Sequence, residues 1–184
     1  MQDDTGLERK FCRFDKDLTV SDTAGIAGYA SLFGAPDQGG DVVAPGAYGA
    51  SLKRLAGDGR RVKMLWQHDP TQPIGIWDEV REDARGLYVR GRILDSVEKG
   101  REAAALIAAG AIEGLSIGYR TLRAARGDDG RRLLKELELW EVSLVTFPML
   151  SSARVAAKGD ALAIDGLREL AAIFGDARRD LGRG

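Results

Sequence analysis

Two long alternating segments in the second half of the chain constrain its fold most: EGLSIGYRTLR, from Glu113, and LLKELELWEVSLVTF, from Leu133. Apolar side chains fall at alternate positions over 115–119 in the first and over 137–139 and 142–144 in the second, which is the period of a strand and not of a helix. The stretch between them, AARGDDGR, is highly polar and reads as a turn, and Pro148 ends the second strand. A chain carrying two such strands must bury their apolar faces in a sheet.

The rest of the sequence supports a mainly β protein. FCRFDKDLTV and IAGYASLF read as strands across the turn-prone SDTAG, and VKMLWQH reads as another. DPTQP then reads as a turn, and IGIWDEV and LYVRGRIL as a hairpin closed by REDARG. Two helices are expected. AYGASLKRLA lies between Pro45 and Gly57, and a longer helix follows Asp95, with Glu98 completing a capping box. Ala103, Leu106 and Ile107 fall at helical spacing there, and Gly110 suits the C-terminal cap. The expected organisation is a disordered N-terminus over 1–9, one domain over 10–157 and a helical C-terminal tail over 158–184, with Leu162, Leu167, Leu170 and Ile173 on its apolar face. Many strands and few helices predict a closed antiparallel β-barrel with helices outside it.

Composition narrows the function classes. The formal net charge of -1 recruits neither nucleic acid nor an anionic membrane. The single Cys12 excludes an internal disulfide, and no apolar run reaches the ~18 residues of a membrane span. His68 is the one histidine, so chemistry that needs an imidazole must use it, and a zinc site of several His or Cys ligands is excluded within one chain. No cofactor is expected.

Three residues stand out. On the strand through Ser116, Leu115, Ile117 and Tyr119 point to one face, and Gly114, Ser116 and Gly118 to the other. A serine flanked on its own face by glycines is sterically bare; the same pattern also marks a bulge or bend. His68 closes VKMLWQH on the face of Val62, Met64 and Trp66, where it is either a satisfied rim histidine or a base. Glu141 shares its expected face with Leu137, Leu139, Ser143, Val145 and Phe147. A carboxylate in that company needs a partner, which is either an arginine or the imidazole of His68. Serine as nucleophile, imidazole as base and a carboxylate orienting the imidazole form one acyl-transfer scheme. Rival residues are Asp69, Glu138 and Cys12. The string G-L-S-I-G lies in a strand and is not a nucleophile elbow.

WQHDPTQPIG, GLYVRGRI, AIEGLSIGY and LWEVSLVTFP, with VVAPGAYGASL before them, closely resemble the prohead serine proteases of tailed bacteriophages and gene transfer agents, over about 25–156. The resemblance implies a barrel like that of the herpesvirus capsid-maturation proteases. It implies a serine endopeptidase that cleaves the scaffold, or the scaffold-like N-terminal segment of the major capsid protein, and often itself. The implied place of action is an assembling procapsid in the host bacterial cytoplasm, and a homodimer is the implied assembly. Neither nucleic acid nor membrane is an expected partner. The family serine falls on Ser116, the family histidine on His68 and the acid of the E-V-S-L-V strand on Glu141, in the place where the related viral enzymes use a second histidine that this chain lacks. Where the family shows P-A-N-x-x-A, this chain reads PMLSSARV, which sets Ser152, Ala153 and Arg154 at the loop that serves oxyanion stabilisation in those relatives. An esterase and a non-catalytic assembly protein on the same fold are the rival functions.

Overall fold

A computed structural model describes residues 8–13, 19–20, 25–37, 39–112 and 114–146. The expected C-terminal tail and the loop of Ser152, Ala153 and Arg154 lie outside the described residues. Glu8 and Arg9, expected in the disordered N-terminus, belong to the first strand.

The elements run β1 (Glu8–Arg13), β2 (Thr19–Val20), β3 (Gly25–Leu32), β4 (Val42–Val43), α1 (Gly49–Gly57), β5 (Lys63–Trp66), β6 (Asp69–Glu82), β7 (Gly86–Ile93), α2 (Glu98–Ala108), β8 (Gly114–Arg126) and β9 (Arg132–Val145). Among the described residues nine strands form one sheet in the order β1-β8-β9-β5-β6-β7-β3-β2, with β4 added against β9. The protein is mainly β, as expected, but the barrel is open. Its end strands β1 and β2 share no ladder, and closure needs every strand paired on both sides. The sheet is also not purely antiparallel, since both β4 and β5 pair with β9 in parallel.

One face of the sheet carries the core. Ile26, Val89, Met64, Ile74, Leu115, Ile117, Tyr119, Val142 and Leu144 are buried together there. Trp77 joins them, its indole N–H donating to the Val142 carbonyl at 3.2 Å. The helix α2 sets Gly100, Ala103 and Ile107 inward, whereas Leu106, at helical spacing with Ala103, is exposed. No side chain caps the start of α2, so the expected capping box does not form. Its end does close as the sequence predicts: Gly110, at φ 72°, donates to Ile107 O, and Ala111 N donates to Leu106 O. That pair of bonds is a Schellman cap, which needs a left-handed residue at the position of Gly110.

Two departures from simple alternation matter for function. DPTQP is not a turn but the start of β6; the ladder with β5 is irregular where Pro73, which has no N–H, faces Leu65. The turn falls two residues earlier, at Gln67 and His68, between the paired Trp66 and Asp69. In β9 the register against β8 slips between Gly118 and Tyr119, which face Glu141 and Leu139. Trp140 is the extra residue of a β-bulge, so alternation restarts there. Leu137 and Leu139 therefore share the core face with Val142 and Leu144, while Glu141 and Ser143 turn to the opposite face.

Candidate active site

The face opposite the core gathers the candidate residues. Ser116 lies directly across from Ser143, and Gly118 across from Glu141. The parallel pairing of β5 with β9 then delivers the Gln67–His68 turn beside them. Both turn residues have positive φ, 51° and 65°. This is the signature of a type I′ hairpin turn, which ordinarily takes Asn-Gly. Histidine here lies off the strand, not on the face of Met64 and Trp66 that alternation predicts.

The turn aims the imidazole at Glu141. His68 Nδ1 lies 2.5 Å from Glu141 Oε1, with both side chains almost wholly buried. An ionised carboxylate only accepts, so in the His68–Glu141 bond Nδ1 carries the proton. The other carboxylate oxygen, Oε2, accepts from the Ser143 hydroxyl at 2.6 Å. Ser143 Oγ in turn accepts the His68 backbone N–H at 3.1 Å. No arginine is among the partners that the described residues supply to Glu141, which favours the imidazole over the ion-pair alternative.

Gly118 makes room for this arrangement. A Cβ at that position would stand 2.3 Å from Glu141 Oε1 and 2.9 Å from its Cδ. The second glycine of G-L-S-I-G is thus required by the carboxylate across the ladder, a reason that the strand pattern alone does not disclose.

Ser116 is fully buried, and its hydroxyl donates to the Lys10 carbonyl of β1 at 3.2 Å. The structure thus joins His68 to Glu141 and sets Ser116 on the same face without a hydrogen bond to the imidazole. The rivals go elsewhere. The Asp69 carboxylate accepts from the Thr71 hydroxyl and backbone N–H, contacts that hold its pKa below the usual range. Glu138 pairs with Arg120 at 3.6 Å. Cys12 lies on β1 in register with Leu115, one position from the partner of Ser116. Sequence reasoning missed Ser143 as a site residue; its i, i+2 spacing from Glu141 on a strand was the available signal.

The sequence pattern of the caudovirus prohead serine proteases matches residues 13–164. The prohead protease of Enterobacteria phage HK97 is 33% identical over 150 residues, covering 78% of this chain and 64% of that protein. The prohead protease of Escherichia phage T5 is 31% identical over 125 residues, covering 67% of this chain and 57% of that protein. The chain therefore spans less than two thirds of the length of these relatives. Among solved structures, the capsid assembly protease of bacteriophage T4 superposes with a TM-score of 0.61 at 17% identity, covering 77% of this chain and 98% of that one. At that identity the likeness is one of fold.

Proposed function

Because this chain belongs to the caudovirus prohead serine protease family, we propose that it is a serine endopeptidase with Ser116 as nucleophile, His68 as base and Glu141 as the acid that orients the base. The observation that carries the reading is the buried contact of His68 Nδ1 with Glu141 Oε1, on the sheet face that also bears Ser116.

The chemistry follows from that contact. Serine attacks a peptide carbonyl only if a base removes its proton in the transition state. Glu141 holds the His68 proton on Nδ1, which leaves Nε2 to accept the proton of Ser116, and its charge stabilises the imidazolium that forms. Before attack the Ser116 hydroxyl must leave the Lys10 carbonyl and turn toward the ring. The acyl-enzyme is then hydrolysed with the same imidazole acting on water. Backbone N–H groups near the developing oxyanion complete the requirement. The substrates on this reading are the scaffold, or the scaffold-like N-terminal segment of the major capsid protein, and a site in the enzyme itself. The reaction takes place in the assembling procapsid, within the host cytoplasm.

Co-expression with the major capsid protein of the same particle, followed by mass analysis, tests the proposal. Wild type trims the capsid protein, Ser116→Ala does not, and a fluorophosphonate labels Ser116. Label on Ser143 or Cys12 instead, or trimming by Ser116→Ala, overturns the assignment.

A further inference from the structure

Ser143 has no role in the scheme above, yet it touches two of the groups that matter most. It is fully buried, and its Oγ lies between the Glu141 carboxylate and the backbone of His68. We propose that Ser143 is a positioning residue: its hydroxyl seats the His68–Glu141 pair by fixing the second carboxylate oxygen and the turn that carries the imidazole.

A hydroxyl has one proton to donate and lone pairs to accept with. Here the proton goes to Glu141 Oε2 at 2.6 Å, and a lone pair takes the His68 N–H at 3.1 Å. With Oε1 on the imidazole, both carboxylate oxygens are committed, and the carboxyl plane cannot rotate without breaking a charge-assisted bond. The second contact acts on the backbone. Gln67 and His68 both have positive φ without being glycine, a conformation that persists only where the surroundings enforce it. The Ser143 oxygen supplies part of that enforcement at His68, and the Leu144 carbonyl supplies more by accepting Gln67 N–H at 3.0 Å. Acid and base are thereby held by one atom. The facing Ser116 does not compete for it, because its own proton goes to the Lys10 carbonyl.

The catalytic half of this inference rests on the proposed protease reading; the geometric half does not, and the test separates them. His68 is the only histidine, so in 15N-labelled full-length protein its Nδ1–H resonance is unambiguous. Wild type shows that proton far downfield, as a short hydrogen bond to a carboxylate requires. Ser143→Ala melts as a folded protein, but its Nδ1–H signal moves upfield and broadens by exchange with water. Turnover of the major capsid protein falls about 10–100-fold, the usual cost of losing an orienting partner, with KM unchanged. Ser143→Thr, which keeps the hydroxyl, restores both. If Ser143→Ala does not fold, Ser143→Cys takes its place, keeping the volume with only a weak donor. An unmoved resonance in a folded variant overturns the proposal, whether turnover falls or not. A moved resonance in a protein whose Ser116 takes no fluorophosphonate supports the seat and overturns the protease reading instead.

Discussion

At the scale of single residues, the proposed mechanism turns on the tautomer of His68. Glu141→Gln tests it. With the Ser143 hydroxyl still donating to the amide oxygen, the amide N–H₂ faces Nδ1, which must then accept. The imidazole proton moves to Nε2, the atom that must receive the serine proton. Single-turnover cleavage is expected to fall by about 10 to 10⁴, with the melting midpoint little changed; a stable, fully active variant removes Glu141 from the scheme. Gly118→Ala tests the same pair from the other side. The new methyl group would clash with Glu141 Oε1 and push the carboxylate away from His68 Nδ1, so cleavage is expected to fall about 10²-fold, as for a misplacement of ~1 Å. Normal cleavage by Gly118→Ala would show that the carboxylate relocates without consequence. The candidates Ser116, His68 and Glu141 stand out locally in the sequence as a bare serine, a lone imidazole and a carboxylate among apolar residues, and the structure brings the last two into contact. The roles of Ser143 and Gly118 were not legible, since each depends on what lies across a ladder.

At the scale of elements, the bulge at Trp140 does most to form the site. Strict alternation through LELWEVS puts Glu141 beside Leu139, in the core; the inserted residue returns it to the opposite face. On the other edge of β9, between β4, which reaches Leu134, and β5, which begins at Glu141, α1 and the turn before it supply the acceptors. Leu137 N donates to the Ala47 carbonyl and Leu139 N to the buried Ser51 hydroxyl, both at 2.9 Å. Ser51→Ala strands the Leu139 N–H, and about 1–3 kcal/mol of stability should be lost in denaturant titration. An unchanged midpoint would mean that the Leu139 N–H finds another acceptor. Strands and helices were readable from periodicity and punctuation, whereas register slips and the early turn at Gln67–His68 were not. Nothing in Gln-His announces a turn that favours Asn-Gly, and the proline-rich DPTQP after it is a stronger local turn signal that tertiary pairing overrides.

At the scale of the whole molecule, stability should depend on acid through a group far from the site. Asp83 joins the β6–β7 turn to β3 by accepting the Tyr29 hydroxyl at 2.8 Å, with Arg81 and the N–H groups of Arg85 and Gly86 adding to that bond. The Tyr29 hydroxyl above all lowers its pKa to about 2 from an ordinary 3.8. The folded state then binds fewer protons than the unfolded state, so this stabilisation is complete above about pH 4 and is lost as pH falls through about 2. Asp83→Asn should flatten the melting midpoint over that window and leave its neutral-pH slope alone; an unaltered acid limb would refute it. The parallel pairing of β5 with β9 has a consequence of another kind, one of timing. His68 and Glu141 are 73 residues apart, and β9 is the last described strand to leave the ribosome. A nascent chain holds its histidine and its serine long before it holds the acid and the strand that bring them together. On the proposed reading, newly made copies stay inert until synthesis has passed the last described strand, a safeguard for an enzyme produced alongside the proteins it would cut.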